Sequence, residues 1–456
     1  MRILIAGAGQ TGVALARYLR AENHEIVLID KDPQALSDLS EQIDIQTLAG
    51  PCDSPLVLER AGAGGVDVLL AMTGDDQTNI IACSMAKELF RVSQRIARIS
   101  SNDYLMPKYA DFLKALSVDV VVSPEKETAS QILTSLSING ATDMTILGQG
   151  LVRFLGIKCR SDIPLIGKNL KQIRHEIGDV NISIVAVVRR HQLMDLEKVV
   201  LQVGDEIYFF VDTGHLSYAL DMLGYGEVPL NNVLMFGGGA VGFQTAKVLE
   251  KDSDNTQITL VEKDKNRAAF LAEHLDRTLV IQGDGFDDNL LEDIDIQSNQ
   301  VSIATTHSDE NNVLLSLMAK RSGVQRTCAL VRNTLYKQYL RGLGVDTLIN
   351  PNAVMVSAVL KCLRKGRLAN DYFLQSGMGE VMEVDALKTS RITLAPLERV
   401  KIPKGVQIGG ILRQNTFIRP HRGLHVQEGD KVYVFVARGC VAQAEKLFTV
   451  RLSFFA

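Results

Sequence analysis

The sequence predicts an α/β chain in which two doubly wound parallel-sheet units alternate with two smaller α+β units. Three observations carry this: a glycine-rich strand–turn–helix pattern near the start, its return 230 residues later, and a run of short strands after each copy. The first pattern is "ILIAGAGQTGVALARYL" at residues 3–19 and the second "VLMFGGGAVGFQTAKVL" at 233–249, so Gly7, Gly9 and Gly12 recur as Gly237, Gly239 and Gly242. Further landmarks keep the same order: Asp30 closing "EIVLID" is matched by Glu262 in "ITLVEKD", and "AMTGDDQTNIIACSMAKELF" from Ala71 by "ATTHSDENNVLLSLMAKRSG" from Ala304. Landmarks in one order with only small insertions mark an internal repeat.

Within each copy, strand and helix alternate, which implies a parallel sheet covered by helices on both faces. The later part of each copy reads differently. Residues 180–211 and 406–436 carry alternating and apolar runs of short strands, with Gly204-Asp205 and Gly429-Asp430 as turns before a last strand. The reading is therefore A-B-A′-B′, with lobes at 1–138, 142–223, 231–366 and 371–452, joints at 138–145 and 366–375, and a linker at "GYGEVPLNN", 224–232. Helices at 124–137 and 351–365 follow the last A-type strand of each copy and suit pairing of neighbouring lobes.

At 456 residues the chain has room for three or four domains, each with its own core. Its 46% hydrophobic and 22% charged residues are ordinary for a globular protein. A net charge of −4 supplies no basic field for nucleic acid or an anionic membrane surface. The six cysteines form no C-x-x-C pair, so free thiols in a reducing cytoplasm are expected. The N-terminus reaches glycine at position 7, too soon for a signal peptide, and no 18-residue apolar stretch is present to span a bilayer.

The glycine pattern, with a strand before it, a helix after it and an acidic residue closing the next strand, is a dinucleotide-binding fingerprint of Rossmann-like domains. Gly7 permits the tight turn, Gly9 lets the backbone approach phosphates, and Gly12 allows close helix packing. Phosphate charge would then meet the free N–H groups at the helix start, and Asp30 or Glu262 would accept from ribose hydroxyls, favouring NAD(H) or an adenosine nucleotide over a 2′-phosphorylated one. Copy A′ continues with "IQGDGFDDNLL", placing Asp284 beside the expected adenosine pocket, where copy A has "LAGPCDSPLVL" and Pro51. Thr73 and Thr306 end the fourth strands, either facing a ligand or capping the next helix. Arg98 and Arg332 are read as ending the fifth strands, either reaching phosphate or standing solvated or paired at an interface.

Catalytic groups are not evident. Tyr104 and Lys108 have the Tyr-x-x-x-Lys spacing of short-chain reductases, but Pro107 breaks the helix that would align them. His421 and His425 are separated by Gly423 and preceded by Pro420, which spoils a helical metal pair. An oxidoreductase turning over NAD(H) would need a positioned acid or base that the motifs do not supply.

With these residues assembled, the chain resembles, over essentially its whole length, the TrkA-type regulators of bacterial Trk potassium uptake systems, built from regulator-of-K⁺-conductance (RCK) domains. The likeness rests on the doubled order, the loops "GAGQTG" and "GGGAVG", the segments "TGDDQTN" and "THSDENN", "GDGFDD", and the stretches "SPEKETASQI" and "NPNAVMVSAVL". It implies that Gly7, Gly9, Gln10, Thr11, Gly12, Asp30, Thr73 and Arg98 line one nucleotide site, and Gly237, Gly239, Ala240, Val241, Gly242, Glu262, Asp284, Gly285 and Thr306 the other. Pro51 stands where the family usually has Asp or Asn. The resemblance further implies a regulator without enzymatic activity, binding NAD(H) or ATP/ADP with no metal, and assembled as a homotetrameric ring. The ring would sit on the cytoplasmic face of a potassium-translocating membrane subunit of the TrkH or TrkG type and gate it by nucleotide-dependent change of shape. A regulator of a different ion transport system is the neighbouring alternative.

Overall fold

The computed structural model describes residues 1–136, 138, 141–178, 180–190, 192–225, 230–252, 255–333, 344–363, 370–374 and 378–448. It comprises two compact units, Met1–Ala129 with Asn350–Leu363, and Ser130–Ile349 with Arg364–Ala456.

The first unit is built on β1 (Arg2–Ala6), β2 (Glu25–Asp30), β3 (Gln46–Ala49), β4 (Val68–Ala71), β5 (Gln94–Arg98) and β6 (Val120–Val122), in the order β3-β2-β1-β4-β5-β6. All pairs are parallel. Ile3–Ala6 of β1 and the whole of β4 read as unbroken apolar runs because helices cover both faces of the sheet. The connecting helices are α1 (Gln10–Ala21), α2 (Pro33–Gln42), α3 (Pro55–Arg60), α4 (Asp76–Glu88) and α5 (Ala110–Ala115). Asp32 and Asp75 cap α2 and α4 by accepting from Gln34 and Thr78 N–H. Strand order reverses between β1 and β4, so their carboxyl ends open the crevice in which such sheets take ligands.

The helix Pro351–Leu363 also belongs to this unit, although it lies in the second sequence copy. Its buried face of Met355, Val356, Val359, Leu360 and Leu363 packs on α1 and β6, and Gln94 Nε2 donates to the Cys362 carbonyl at 3.0 Å. The boundary between the units falls inside α6 (Pro124–Leu136).

In the second unit, β12 (Asn232–Phe236), β13 (Gln257–Glu262), β14 (Leu279–Gln282), β15 (Val301–Ala304), β16 (Arg326–Leu330) and β17 (Thr347–Ile349) repeat the parallel order β14-β13-β12-β15-β16-β17. The small sheets are β7 (Ala141–Leu147), β8 (Val152–Lys158), β9 (Ile182–Arg189), β10 (Gln192–Leu193) and β11 (Glu206–Asp212), and their counterparts β18 (Asn370–Phe373), β19 (Gly379–Asp385), β20 (Val406–Arg413), β21 (Thr416–Ile418) and β22 (Lys431–Ala437). Both are antiparallel with matching order, β10-β9-β11-β8-β7 and β21-β20-β22-β19-β18. One face of each sheet carries its own helices and core, α7 (Leu170–Ile177) and α8 (Leu216–Met222) in the first; the other faces meet in a shared cluster that includes Phe154, Tyr208, Phe210, Tyr433 and Phe435.

β7 and β18 begin inside the stretches expected as joints. Thr142, Asp143 and Thr145 interrupt the apolar pattern of β7, so in sequence the stretch reads as a joint. The buried Asp143 carboxyl accepts from the Tyr372 hydroxyl at 3.2 Å and shares the Tyr208 hydroxyl, 3.1 Å away, with Glu206, and these polar partners offset the cost of burying it. Of the expected linker 224–232, residues 226–229 lie outside the described residues, as do 137 at the end of the first lobe, 139–140 in the first joint, the ends of the expected third and fourth lobes at 364–366 and 449–452, and the stretches 366–369 and 375 of the second joint.

Candidate functional site

Each parallel sheet ends in a glycine cradle, and the two are built alike. Gly7 has φ +110° and Gly237 φ +91°, the left-handed region that favours glycine, and a Cβ at either would come within 2.9 Å of the backbone after β4 or β15. The Gly7 N–H donates to the Ile29 carbonyl and that of Gly237 to Val261, tying each turn to the second strand. A Cβ at Gly9 would meet nothing within 4 Å, leaving the open side where a ligand can approach the backbone. Gly12 and Gly242 are different: their Cβ atoms would sit 1.9 and 2.1 Å from the carbonyl oxygens of Gly7 and Gly237. Only the absence of a Cβ there lets the start of α1, and of α9 (Ala240–Asp252), lie this close to its own turn.

The acidic residues close the cradles. Asp30 accepts from the Ala8 and Asp32 N–H groups at 2.6 and 2.9 Å, and Glu262 from Gly238 and Asp264 at 2.7 and 2.9 Å. One extra methylene in Glu262 is matched by one fewer carbon at Gly238, where a Cβ would lie 2.1 Å from Leu271 and 3.3 Å from the Glu262 Oε2. Each carboxylate oxygen accepts one backbone bond and keeps a lone pair for a ribose hydroxyl.

Over the second sheet lies a cavity of about 560 Å³. Of the residues expected there, Gly237, Gly239, Ala240, Glu262, Asp284, Gly285 and Thr306 line it. Val241 and Gly242 sit in the first turn of α9 behind the cradle. Asp284 pairs with Lys263 Nζ at 2.8 Å, and that bond holds its carboxyl below the usual range. Lys263, Arg267, His307 and Asn311 line the cavity without having been singled out in the sequence. Arg267 lies in the first turn of α10 (Lys265–His274), donates through Nε to the Gly238 carbonyl at 2.7 Å and stacks 4.6 Å from the Phe270 ring centre. Its counterpart in the first copy is Ala35, so only the second cradle has this fixed cation.

Thr73 and Thr306 turn out to be held by buried asparagines that sequence reading missed. Asn79 Oδ1 accepts from the Thr73 N–H and hydroxyl at 2.9 and 2.7 Å, while its Nδ2 donates to the Thr73 and Arg98 carbonyls. Asn312, in α12 (Asp309–Arg321) as Asn79 is in α4, repeats this with Thr306 and Leu330; α11 (Asp288–Asp293) follows the Asp284 turn. The matching "DDQTN" and "SDENN" segments were the available signal. Removing this carboxamide leaves several buried polar groups unpaired, at about 1 kcal/mol or more each. Asn312→Ala is therefore expected to lower stability by roughly 2–3 kcal/mol, read as a fall in the urea midpoint, and to weaken any ligand of the cavity that Thr306 lines.

The two arginines expected to end the fifth strands are not equivalent. Arg98 ends β5, but β16 ends at Leu330 and Arg332 follows it. Arg332 corresponds to Ser100: the N–H of each donates to the acid opening the preceding helix, Asp309 or Asp76, at 2.8 and 2.9 Å. Arg332 Nη1 also reaches Asp309 and the His307 carbonyl, at 3.3 and 3.2 Å, so it braces the strand-end loop.

The remaining candidates fall elsewhere. Pro107–Tyr109 is a single 3₁₀ turn, so Tyr104 and Lys108 share no helix face. His421 and His425 are exposed in a loop, where His425 Nε2 lies 2.9 Å from the Thr393 carbonyl. Cys52, Cys83, Cys159 and Cys328 are buried thiols, each pushed up to about 12 by burial.

Fold and cradles together define an internally repeated, tandem Rossmann-type protein with paired small domains. The TrkA-N domain matches it twice, at residues 3–124 and 233–351. The Trk system potassium uptake protein TrkA of Azorhizobium caulinodans is 34% identical over the whole of both chains, and that of Haemophilus influenzae 33% over 98% of each. The chain belongs to the TrkA family. Among solved structures, the GsuK RCK domain is similar with a TM-score of 0.61 at 18% identity, covering 98% of this chain and 94% of that one. The GsuK channel bound to NAD is similar with the same score and identity, covering 98% and 78%. Both likenesses show the fold. No described helix is long and apolar enough to cross a membrane.

Proposed function

We propose that this chain is a nucleotide-binding regulatory subunit of a Trk-type potassium uptake system, without catalytic activity of its own. The observation that supports this most is the pair of cradles, each with a helix start following the glycine turn at one end and a tethered carboxylate at the other. Such a cradle suits a ribose and a pyrophosphate together, as NAD(H) or ATP/ADP present them. The site residues in this reading are Gly7, Gly9, Gln10, Thr11, Gly12, Asp30, Thr73 and Arg98 for the first cradle. For the second they are Gly237, Gly239, Ala240, Val241, Gly242, Glu262, Asp284, Gly285 and Thr306, joined by Lys263 and Arg267. The relatives' naming and the NAD carried by one structural neighbour favour the same reading.

In this proposal the chain assembles as a homotetrameric ring at the cytoplasmic face of a TrkH- or TrkG-type membrane subunit. The four-lobe division at 1–138, 142–223, 231–366 and 371–452 is part of it. A ligand shifts a two-state ring only by its differential affinity for the two states. A preference of about 100-fold at one site supplies about 2.7 kcal/mol, so a few sites in one ring are enough to throw the switch.

Calorimetric titration of the full chain with NADH, NAD⁺, ATP and ADP, followed by potassium flux through the reconstituted membrane subunit, tests this. A saturable heat with at least one nucleotide and a flux that depends on it are expected. No heat with any adenine nucleotide would overturn the proposal.

A further inference from the structure

We propose that Asn352 is a positioning residue through which the first cradle reports its occupancy to the helix Pro351–Leu363. The inference rests on the nucleotide reading above and concerns one side chain that the reading does not use. Asn352 Nδ2 donates to Gln10 Oε1 at 2.8 Å, and Thr11 Oγ1 donates to Asn352 Oδ1 at 3.4 Å. Gln10 and Thr11 open α1, where the first N–H groups of a helix have no partner within it. A phosphate at this cradle takes those N–H groups, so one ligand and one carboxamide hold the same two residues from opposite parts of the chain.

The helix bearing Asn352 is built to carry the effect. Asn350 caps it by accepting from the Ala353 N–H at 3.0 Å, and the Cys362 carbonyl at its far end accepts from Gln94. A helix docked along an apolar face and tied at both ends moves as one piece, so whatever tightens Gln10 and Thr11 tightens its first turn. The corresponding position in the first copy, after Pro124, is Glu125. A carboxylate accepts hydrogen bonds and donates none, whereas this contact needs a group that does both. The device is therefore confined to the first cradle.

Hydrogen exchange on the full chain in a Gly242→Ala background, where the first cradle alone titrates, tests this with saturating NADH and separately with ATP. Peptides covering 351–363 are expected to exchange about fivefold or more slowly with the bound nucleotide, the lower end of usual coupling. Asn352→Ala is expected to cut that slowing below twofold while calorimetry still finds the first cradle filled. Should that variant fold poorly, Asn352→Asp keeps the size of the side chain but has no N–H to donate to Gln10 Oε1, and must show the same loss. Binding without slowing in the parent, or slowing that survives both substitutions, overturns the inference and leaves the nucleotide reading standing. No heat at all sinks both.

Discussion

Replacing Gly12 with alanine is expected to lower nucleotide affinity at the first cradle by about a hundredfold or more, while the second cradle titrates unchanged. The argument is geometric. The new Cβ would fall 1.9 Å from the Gly7 carbonyl oxygen, which is backbone and cannot swing away as a side chain would. Either the turn or the start of α1 must shift, and the N–H groups that would meet phosphate shift with it. Losing two charge-assisted hydrogen bonds at about 1.5 kcal/mol each gives about 3 kcal/mol, which is about a hundredfold. The fold should survive, because Leu4, Ala6, Val27 and Leu69 pack the core away from this contact, and overpacking at one point costs typically about 1–3 kcal/mol. Calorimetry should find one fewer site per chain with the circular dichroism spectrum retained. A normal first-site titration would remove α1 from any account of binding. Gly242→Ala, where the Cβ would lie 2.1 Å from the Gly237 carbonyl and 2.9 Å from Thr305 Oγ1, should do the same to the second cradle.

The sequence exposed those glycines because their spacing has a geometric cause, and it exposed Asp30 and Glu262 because both close a strand with a clear apolar run. It hid what depends on contacts between distant segments. Asn79 and Asn312 look like surface residues in acidic helix starts, yet both are fully buried; only the folded loop shows that each carboxamide bridges two strand ends. Arg332 could be paired with Arg98 by eye, since both follow apolar strands, and it took hydrogen-bond register to place it against Ser100. The helix at Pro351–Leu363 was legible as one suited to pairing lobes, but its packing on the first sheet was not, because an apolar helix face does not name its partner. Pro51 and Ala35 show how the copies diverge: the first cradle lacks both the Asp284 carboxylate and the Arg267 cation, so equal loops do not imply equal ligands.

Phe210→Ala is expected to destabilise the paired small domains by about 4 kcal/mol, among the larger costs of a single truncation. β11 buries aromatic rings on both faces: Phe209 joins the core of its own domain, and Phe210 the cluster between the sheets. The Phe210 ring lies 5.0 Å from Phe154 and 5.9 Å from Tyr433, centre to centre. Across from it, Gly409 is the extra residue of a bulge in β20, and a Cβ there would stand 2.1 Å from Phe210. The glycine is thus the hole for this ring. When the ring is removed, glycine has no side chain with which to fill the space, and the bulge fixes its backbone in the β20–β22 ladder. The void therefore persists, and its full cost should appear as a lower thermal midpoint. Gly409→Val approaches the same contact from the other side by overfilling it, and should destabilise as well. The cavity over β12–β15 shares no residue with this cluster, so nucleotide affinity in Phe210→Ala should stay within about twofold of the parent below its melting range, as expected for distant sites with no shared partners. A loss of binding in that variant, with the parallel sheets still folded, would mean that the small domains take part in holding the ligand, and the division of labour drawn here would fail.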